Sequence, residues 1–171
     1  ADDPRKRVHA RYGMPVAASE RLWETHYDRF DVSREPNEAF RHGWVVEIDP
    51  MNPSSTPVKR TAMGRAAHEG ATTAVTKDGR AVVYSGEDAR FEYIYKFVSR
   101  DRIAPGGAGV TKAQANRELL DHGTLYVARF DSDGSGRWLP LVHGQGPLVA
   151  ANGFADPGID RVEIRHDATN A

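Results

Sequence analysis

The sequence predicts a mainly β protein built from antiparallel sheets, and three observations carry that reading. Short apolar runs recur about every ten residues, each bounded by turn residues. Two corners, Lys77-Asp78-Gly79 and Asp131 to Gly136, carry the Asp-Gly word of a tight hairpin turn. Tyr93, Tyr95 and Phe97 alternate with Ile94, Lys96 and Val98, the period-two pattern of a strand. The 16 glycines and 10 prolines fit such a turn-rich fold.

Composition narrows the class. The chain has 171 residues, the length of a single domain and enough to bury a core. Residues 1–171 are therefore read as one domain, with residues 1–36 as an N-terminal arm. Net charge is -1, which gives no reason to expect nucleic acid or an anionic membrane as partner. No run approaches the ~20 apolar residues of a membrane span. The opening, ADDPRKRVHARYG, is basic but has no apolar core, so it does not read as a signal peptide. Cysteine is absent, which excludes disulfides and thiolate ligands from this chain and fits either redox compartment.

Taken in order, the arm is polar and weakly patterned. Ser19 is placed to cap a short helix through Trp23, and Trp23, Tyr27 and Phe30 read as its anchors. Trp44 to Ile48 is a strand stopped by Asp49-Pro50, and prolines 50, 53 and 57 mark a turn region. Val58 to Met63 is a more polar strand candidate. Ala71 to Thr76 and Arg80 to Tyr84 flank Lys77-Asp78-Gly79, read as a type I′ hairpin. Glu92 to Val98 is a strand with both faces partly buried. After the Gly/Pro loop from Ile103 to Gly109, Thr111 is placed to cap a helix from Lys112 to about Leu120, a short helical excursion between strands. Thr124 to Phe130 and Arg137 to Val142 form a second hairpin. Arg161 to Arg165 alternates and reads as one more strand. A sandwich, a barrel and a propeller all fit this rhythm.

The first hairpin gathers acids. Glu69 precedes one arm and Asp88 follows the other, so antiparallel pairing brings them to the same edge of a sheet. Carboxylates beside glycines at such an edge suit a hard cation, although solvated acids at strand ends are the commoner case. His68 reads as a histidine oriented by its corner. Asp131 to Gly136 resembles the opening of an EF-hand loop, but Val142 stands where the twelfth-position glutamate belongs, so a hairpin turn is preferred. Lys59, Arg60 and Arg65 form a basic cluster able to clamp a phosphate, with exposed strand-edge charges as the preferred reading. Walker and GxSxG words are absent, so nothing points to a nucleotide loop or a nucleophile elbow.

The words GWVVEIDPMNPSSTPVKRTAMGRAAHEGATTA, VVYSGEDARFEYIYKFVS and GTLYVARFDSDGSGRWLPL resemble the PhoX-type alkaline phosphatases, from about Asn37 to Phe154. The resemblance implies a β-propeller, of which this chain would supply about two blades, since those enzymes are several times longer. It implies calcium and iron as cofactors, a phosphate monoester as substrate, and a periplasmic or secreted setting. By the same carry-over Glu69 and Asp88 become metal ligands and Arg90 a phosphate-binding residue, with Arg90 pairing with Asp88 as the alternative. The family's cysteine ligand and a further phosphate-binding arginine find no match here.

Three functions follow as expectations. The first is metal-dependent phosphomonoester hydrolysis, by an enzyme of which this chain is a part. The second is a calcium-dependent propeller hydrolase of another ester or a lactone. The third is a structural or binding piece without activity of its own. A partial propeller leaves open strand edges and apolar faces, so self-association or completion by further segments is expected.

Overall fold

The computed structural model describes residues 5–14 and 17–154. The chain divides into two compact units, Ala1–Gly43 and Trp44–Ala171. The expected strand at Arg161 to Arg165 lies outside the described residues.

The first unit holds a short helix, α1 (Arg5–Arg11), which its sequence pattern does not announce, and 3-10 turns at Trp23–Thr25, Asp28–Phe30 and Glu38–Arg41. Ser19 opens no α-helix. Its Oγ accepts the Leu22 N–H at 3.1 Å, and its own N–H and hydroxyl donate to Glu24 at 2.8 and 2.6 Å. Those bonds close one turn, and Leu22, at φ 51, takes the chain out of helical geometry. Phe30 packs on Trp23 and Tyr27, with ring centroids 5.4 and 6.1 Å apart. Trp23 and Tyr27 stay 52% and 61% exposed, so this is a local cluster rather than a set of buried anchors. The unit's fixed point is Glu38, 1% exposed and paired with Arg29 and Arg41. Burial pushes its carboxyl up, but the arginines outweigh this and hold it below the usual range.

The second unit is antiparallel β. A two-stranded sheet pairs β1 (Val46–Glu47) with β2 (Val58–Lys59). A five-stranded sheet runs in chain order: β3 (His68–Val75), β4 (Arg80–Glu87), β5 (Ile94–Arg102), β6 (Gly123–Phe130) and β7 (Gly136–Pro140). β3 and β7 are its edges. The mainly β architecture expected from the sequence is the architecture found.

Alternation decides which face is buried. Val83 pairs with Phe97 and Phe97 with Leu125, and these meet Met63, Ala66 and Tyr95 in the core. Phe97 is 1% exposed. Gly123 lies hard against this core. A Cβ there would fall 2.3 Å from the Val98 carbonyl oxygen and 2.4 Å from the Phe97 ring, so only glycine fits.

Several local expectations need correcting. The turn at Lys77-Asp78-Gly79 is not type I′, which requires positive φ at two residues. Only Gly79 has it, at 88°, and its N–H bonds back to the Thr76 carbonyl at 2.9 Å, so this is a three-residue turn ending in a left-handed glycine. The strand expected from Val58 to Met63 stops at Lys59 and turns into a 3-10 segment, Thr61–Met63. Arg60 causes the break, because its side chain is pulled inward, 4% exposed. Its guanidinium donates to Glu47 at 2.7 Å, to Asp121 at 2.8 Å and to the Arg117 carbonyl at 2.8 Å. The helix expected to reach Leu120 ends early: α2 spans Lys112–Ala115. Thr111 caps it, with a reciprocal bond from Gln114, as the sequence suggests. Asn116 ends it, donating its side-chain amide to the Lys112 and Ala104 carbonyls at 2.7 and 2.8 Å.

Candidate functional site

The open mouth of the β3–β4 hairpin is where the sequence-selected residues meet. His68 pairs with Glu87 and Glu69 with Gly86 across the two strands. Beyond Glu69 the register shifts, and Gly70 takes φ 74 to absorb the bulge. The mouth is closed by a clamp on Ala67. Its N–H donates to Glu87 Oε1 at 2.8 Å, and its carbonyl accepts the Asp88 N–H at 2.9 Å. Glu87 thus holds the corner. Its own N–H donates to the Tyr93 carbonyl at 3.2 Å, which shuts the loop joining β4 to β5.

The clamp sets Glu69 and Asp88 side by side. Hydrogen bonding to the Asp88 carboxyl and the charge beside it hold Glu69 above the usual carboxylate range. Two carboxyls this close cannot both ionise cheaply in the absence of a cation. Both residues are exposed, so the pair is open to solvent.

His68 is occupied on both ring nitrogens. Nδ1 lies 2.7 Å from Ser85 Oγ and Nε2 lies 3.2 Å from the Gly64 carbonyl. The corner orients it through these two contacts, as read from the sequence. Arg90 does not pair with Asp88. It is exposed and unpaired among the described residues, two positions beyond Asp88 in the loop. Arg60 leaves the phosphate-binding candidates, because its guanidinium is spent on the buried network described above. This also corrects its reading as an exposed strand-edge charge.

The Asp131 to Gly136 corner is a hairpin turn. The Asp131 carboxylate is taken by Arg129 and Arg137 at 3.0 and 3.1 Å, and Asp133 by the Ser135 N–H at 2.9 Å. No acid there is left for calcium.

A hard cation needs oxygen donors, and the Glu69–Asp88 pair supplies two that converge. Calcium takes six to eight. Among the described residues no group of three or more histidines, cysteines or acids is placed to hold a metal ion. The residues fit part of a cation site.

Sequence reasoning missed the clamp on Ala67 and the His68–Ser85 contact. Their partners lie 20 and 17 residues apart, and only the hairpin's register brings them together.

No curated protein matches the chain. A solved structure described as Pseudomonas fluorescens PhoX in complex with vanadate, a transition state analogue, is 54% identical, with a TM-score of 0.77. The match covers 91% of this chain and 27% of that one. The chain thus spans about a quarter of the relative, and its sheets match part of a propeller-type fold. Residues 3–171 match the family described as alkaline phosphatase PhoX, and the chain belongs to that family.

Proposed function

We propose that this chain supplies part of the active site of a metal-dependent phosphomonoesterase. The observation that carries the reading is the convergence of the Glu69 and Asp88 carboxyls at one hairpin mouth, in a chain 54% identical to a PhoX solved with vanadate. That relative was solved with vanadate, described as a transition state analogue, which supports a phosphoryl-transfer reading.

Glu69 and Asp88 would hold a cation, with calcium and iron as the family's metals. Bound there, the cations would neutralise charge on the phosphoryl oxygens. The chain's own residues do the rest. Glu87 fixes the corner through Ala67, and His68 fixes it through Ser85. Arg90 is the unpaired cation of the loop and would donate to a phosphate oxygen. With two of the needed oxygen ligands, the 171 residues alone should turn over little or no substrate. Placement in the periplasm or outside the cell belongs to the same proposal and rests on the family resemblance.

The test is a chimera in which this chain replaces the matching segment of Pseudomonas fluorescens PhoX. It should hydrolyse simple phosphate esters and lose that activity to chelators. Glu69→Gln should cost about 10²–10³-fold in kcat, the scale of removing one charge-stabilising group. Metal analysis should find calcium and iron, with less bound in the variant. Full activity after both chelation and Glu69→Gln would end the proposal.

A further inference from the structure

The loop that joins β4 to β5 presents an aromatic ring to solvent beside the carboxyl pair. Backbone bonds pin it at both ends. The Asp88 N–H donates to the Ala67 carbonyl at 2.9 Å, and the Glu87 N–H donates to the Tyr93 carbonyl at 3.2 Å. Within this loop Phe91 is fully exposed and takes φ 63, a left-handed conformation that bulky residues rarely adopt. A phenyl ring stabilises a fold by being buried, and this one is not.

Strain of this kind persists where the surrounding structure over-determines it, and it concentrates at ligand sites. The neighbouring residues say which ligand. Asp88 meets Glu69 at the hairpin mouth, and Arg90, exposed and unpaired among the described residues, directly precedes Phe91. A candidate cation ligand, a phosphate donor and an aromatic face thus stand at positions 88, 90 and 91 of one loop. Consecutive Cα atoms lie ~3.8 Å apart. A phosphate oxygen held at Arg90 therefore leaves the ester's organic group within a side chain's reach of residue 91.

We propose that Phe91 is a specificity-determining residue of the phosphatase site, stacking on the organic group of aromatic phosphomonoesters. The inference rests on the phosphatase reading and adds the class of ester that the site prefers. Aromatic faces stack offset on one another, and a phenyl ring accepts any flat π-system. An aliphatic ester offers no such face, so the ring discriminates between the two classes. Stacking on the organic group is made equally in the ground and transition states, so the preference belongs in KM rather than kcat.

The test uses the chimera described above with two substitutions. Phe91→Gly suits the left-handed backbone and removes the ring, and Phe91→Tyr keeps the ring. The ratio of kcat/KM for phenyl phosphate to that for glycerol phosphate is measured in each, and comparison with the parent chimera cancels the esters' intrinsic reactivities. Affinities for phenylphosphonate and methylphosphonate, which are bound but not hydrolysed, give a second readout. Phe91→Gly should lower the phenyl-to-glycerol ratio about tenfold, through KM, the scale of one lost stacking contact. It should lower the phenyl-to-methyl preference in phosphonate binding by a similar factor, and Phe91→Tyr should keep both. Unchanged ratios in a chimera that hydrolyses esters overturn the inference and leave the phosphatase reading standing. An equal loss of kcat for both esters also overturns it. A chimera that neither hydrolyses esters nor binds phosphonates overturns the phosphatase reading, and the inference with it. Destabilisation of the chimera by Phe91→Gly in thermal unfolding overturns the inference as well, because another segment then covers the ring.

Discussion

The Glu69 and Asp88 carboxyls meet across the mouth of the β3–β4 hairpin, where hydrogen bonding to Asp88 and its charge favour the neutral form of Glu69. Glu69 therefore keeps its proton to higher pH than a free glutamate. Glu69 is raised above its ordinary value, so the folded chain binds more protons than the unfolded one between that value and the raised one. Stability should fall as pH climbs through that window. Calcium competes for the same oxygens, so its affinity should rise with pH over the same interval, with proton release on binding. Denaturant titrations at several pH values, with and without calcium, measure both trends. Glu69→Gln should flatten both curves. A wild-type chain whose stability and calcium affinity ignore pH there would refute the pairing.

Arg60 is a structural cation, and its removal should act on stability. Burial pushes its guanidinium toward the neutral form, but Glu47 and Asp121 outweigh this and raise it. Arg60→Met should cost about 2–4 kcal/mol, below the full price of a broken buried pair because both acids are partly exposed. Arg60→Lys should recover only part of that, since an ammonium cannot reproduce three directed bonds. Urea unfolding gives the values. A loss of phosphate affinity at unchanged stability would contradict this assignment.

Much of this was legible in the sequence because the informative signals are local. Tyr95 and Phe97 announce a buried strand face by alternation alone, and the Asp-Gly corners mark both hairpins. The meeting of Glu69 and Asp88 follows from hairpin topology once those corners are located. The failures share a cause. Arg60 ends its strand because of Asp121, 61 residues away. Asn116 ends α2 partly because the Ala104 carbonyl lies within its reach. Neither partner is visible in the neighbouring letters. The face around Lys96 was half legible, since Ile94 and Val98 already spoke for a second partly buried face. Trp138 over Lys96 needs the register of three strands.

Ser99 replaces a missing ladder bond inside the core. It is fully buried, and its hydroxyl accepts the Ala81 N–H at 2.9 Å while donating to the Asp101 carbonyl at 2.7 Å. The β4–β5 register shifts at that point, between Arg80 and Val82. Ser99→Ala should orphan a buried N–H and cost about 1–3 kcal/mol. Gly123→Ala should cost about as much or more through overpacking against Phe97. Hydrogen exchange at Ala81 separates the mechanisms: Ser99→Ala should release that amide selectively, and Gly123→Ala should loosen β5 and β6 together.

Phe91 holds a left-handed backbone conformation, φ 63, while its side chain is fully exposed. A bulky residue takes that conformation at a cost of roughly 1–2 kcal/mol, and no burial of its ring offsets it in this chain. The loop forces it: Glu87 N–H is bonded to the Tyr93 carbonyl, so Asp88 to Glu92 must turn within that closed ring. Glycine adopts this φ freely but loses more entropy on folding, about 0.5–1 kcal/mol. Phe91→Gly should therefore stabilise the chain by up to about 1.5 kcal/mol, the difference of those two terms. Phe91→Val should destabilise it, because a β-branched side chain suits positive φ least. Thermal unfolding of the three proteins should give the order Gly, Phe, Val from most to least stable. If Val matched or exceeded Phe, the backbone at this position would not be left-handed in solution, and the loop that presents Arg90 beside Asp88 would need a different geometry.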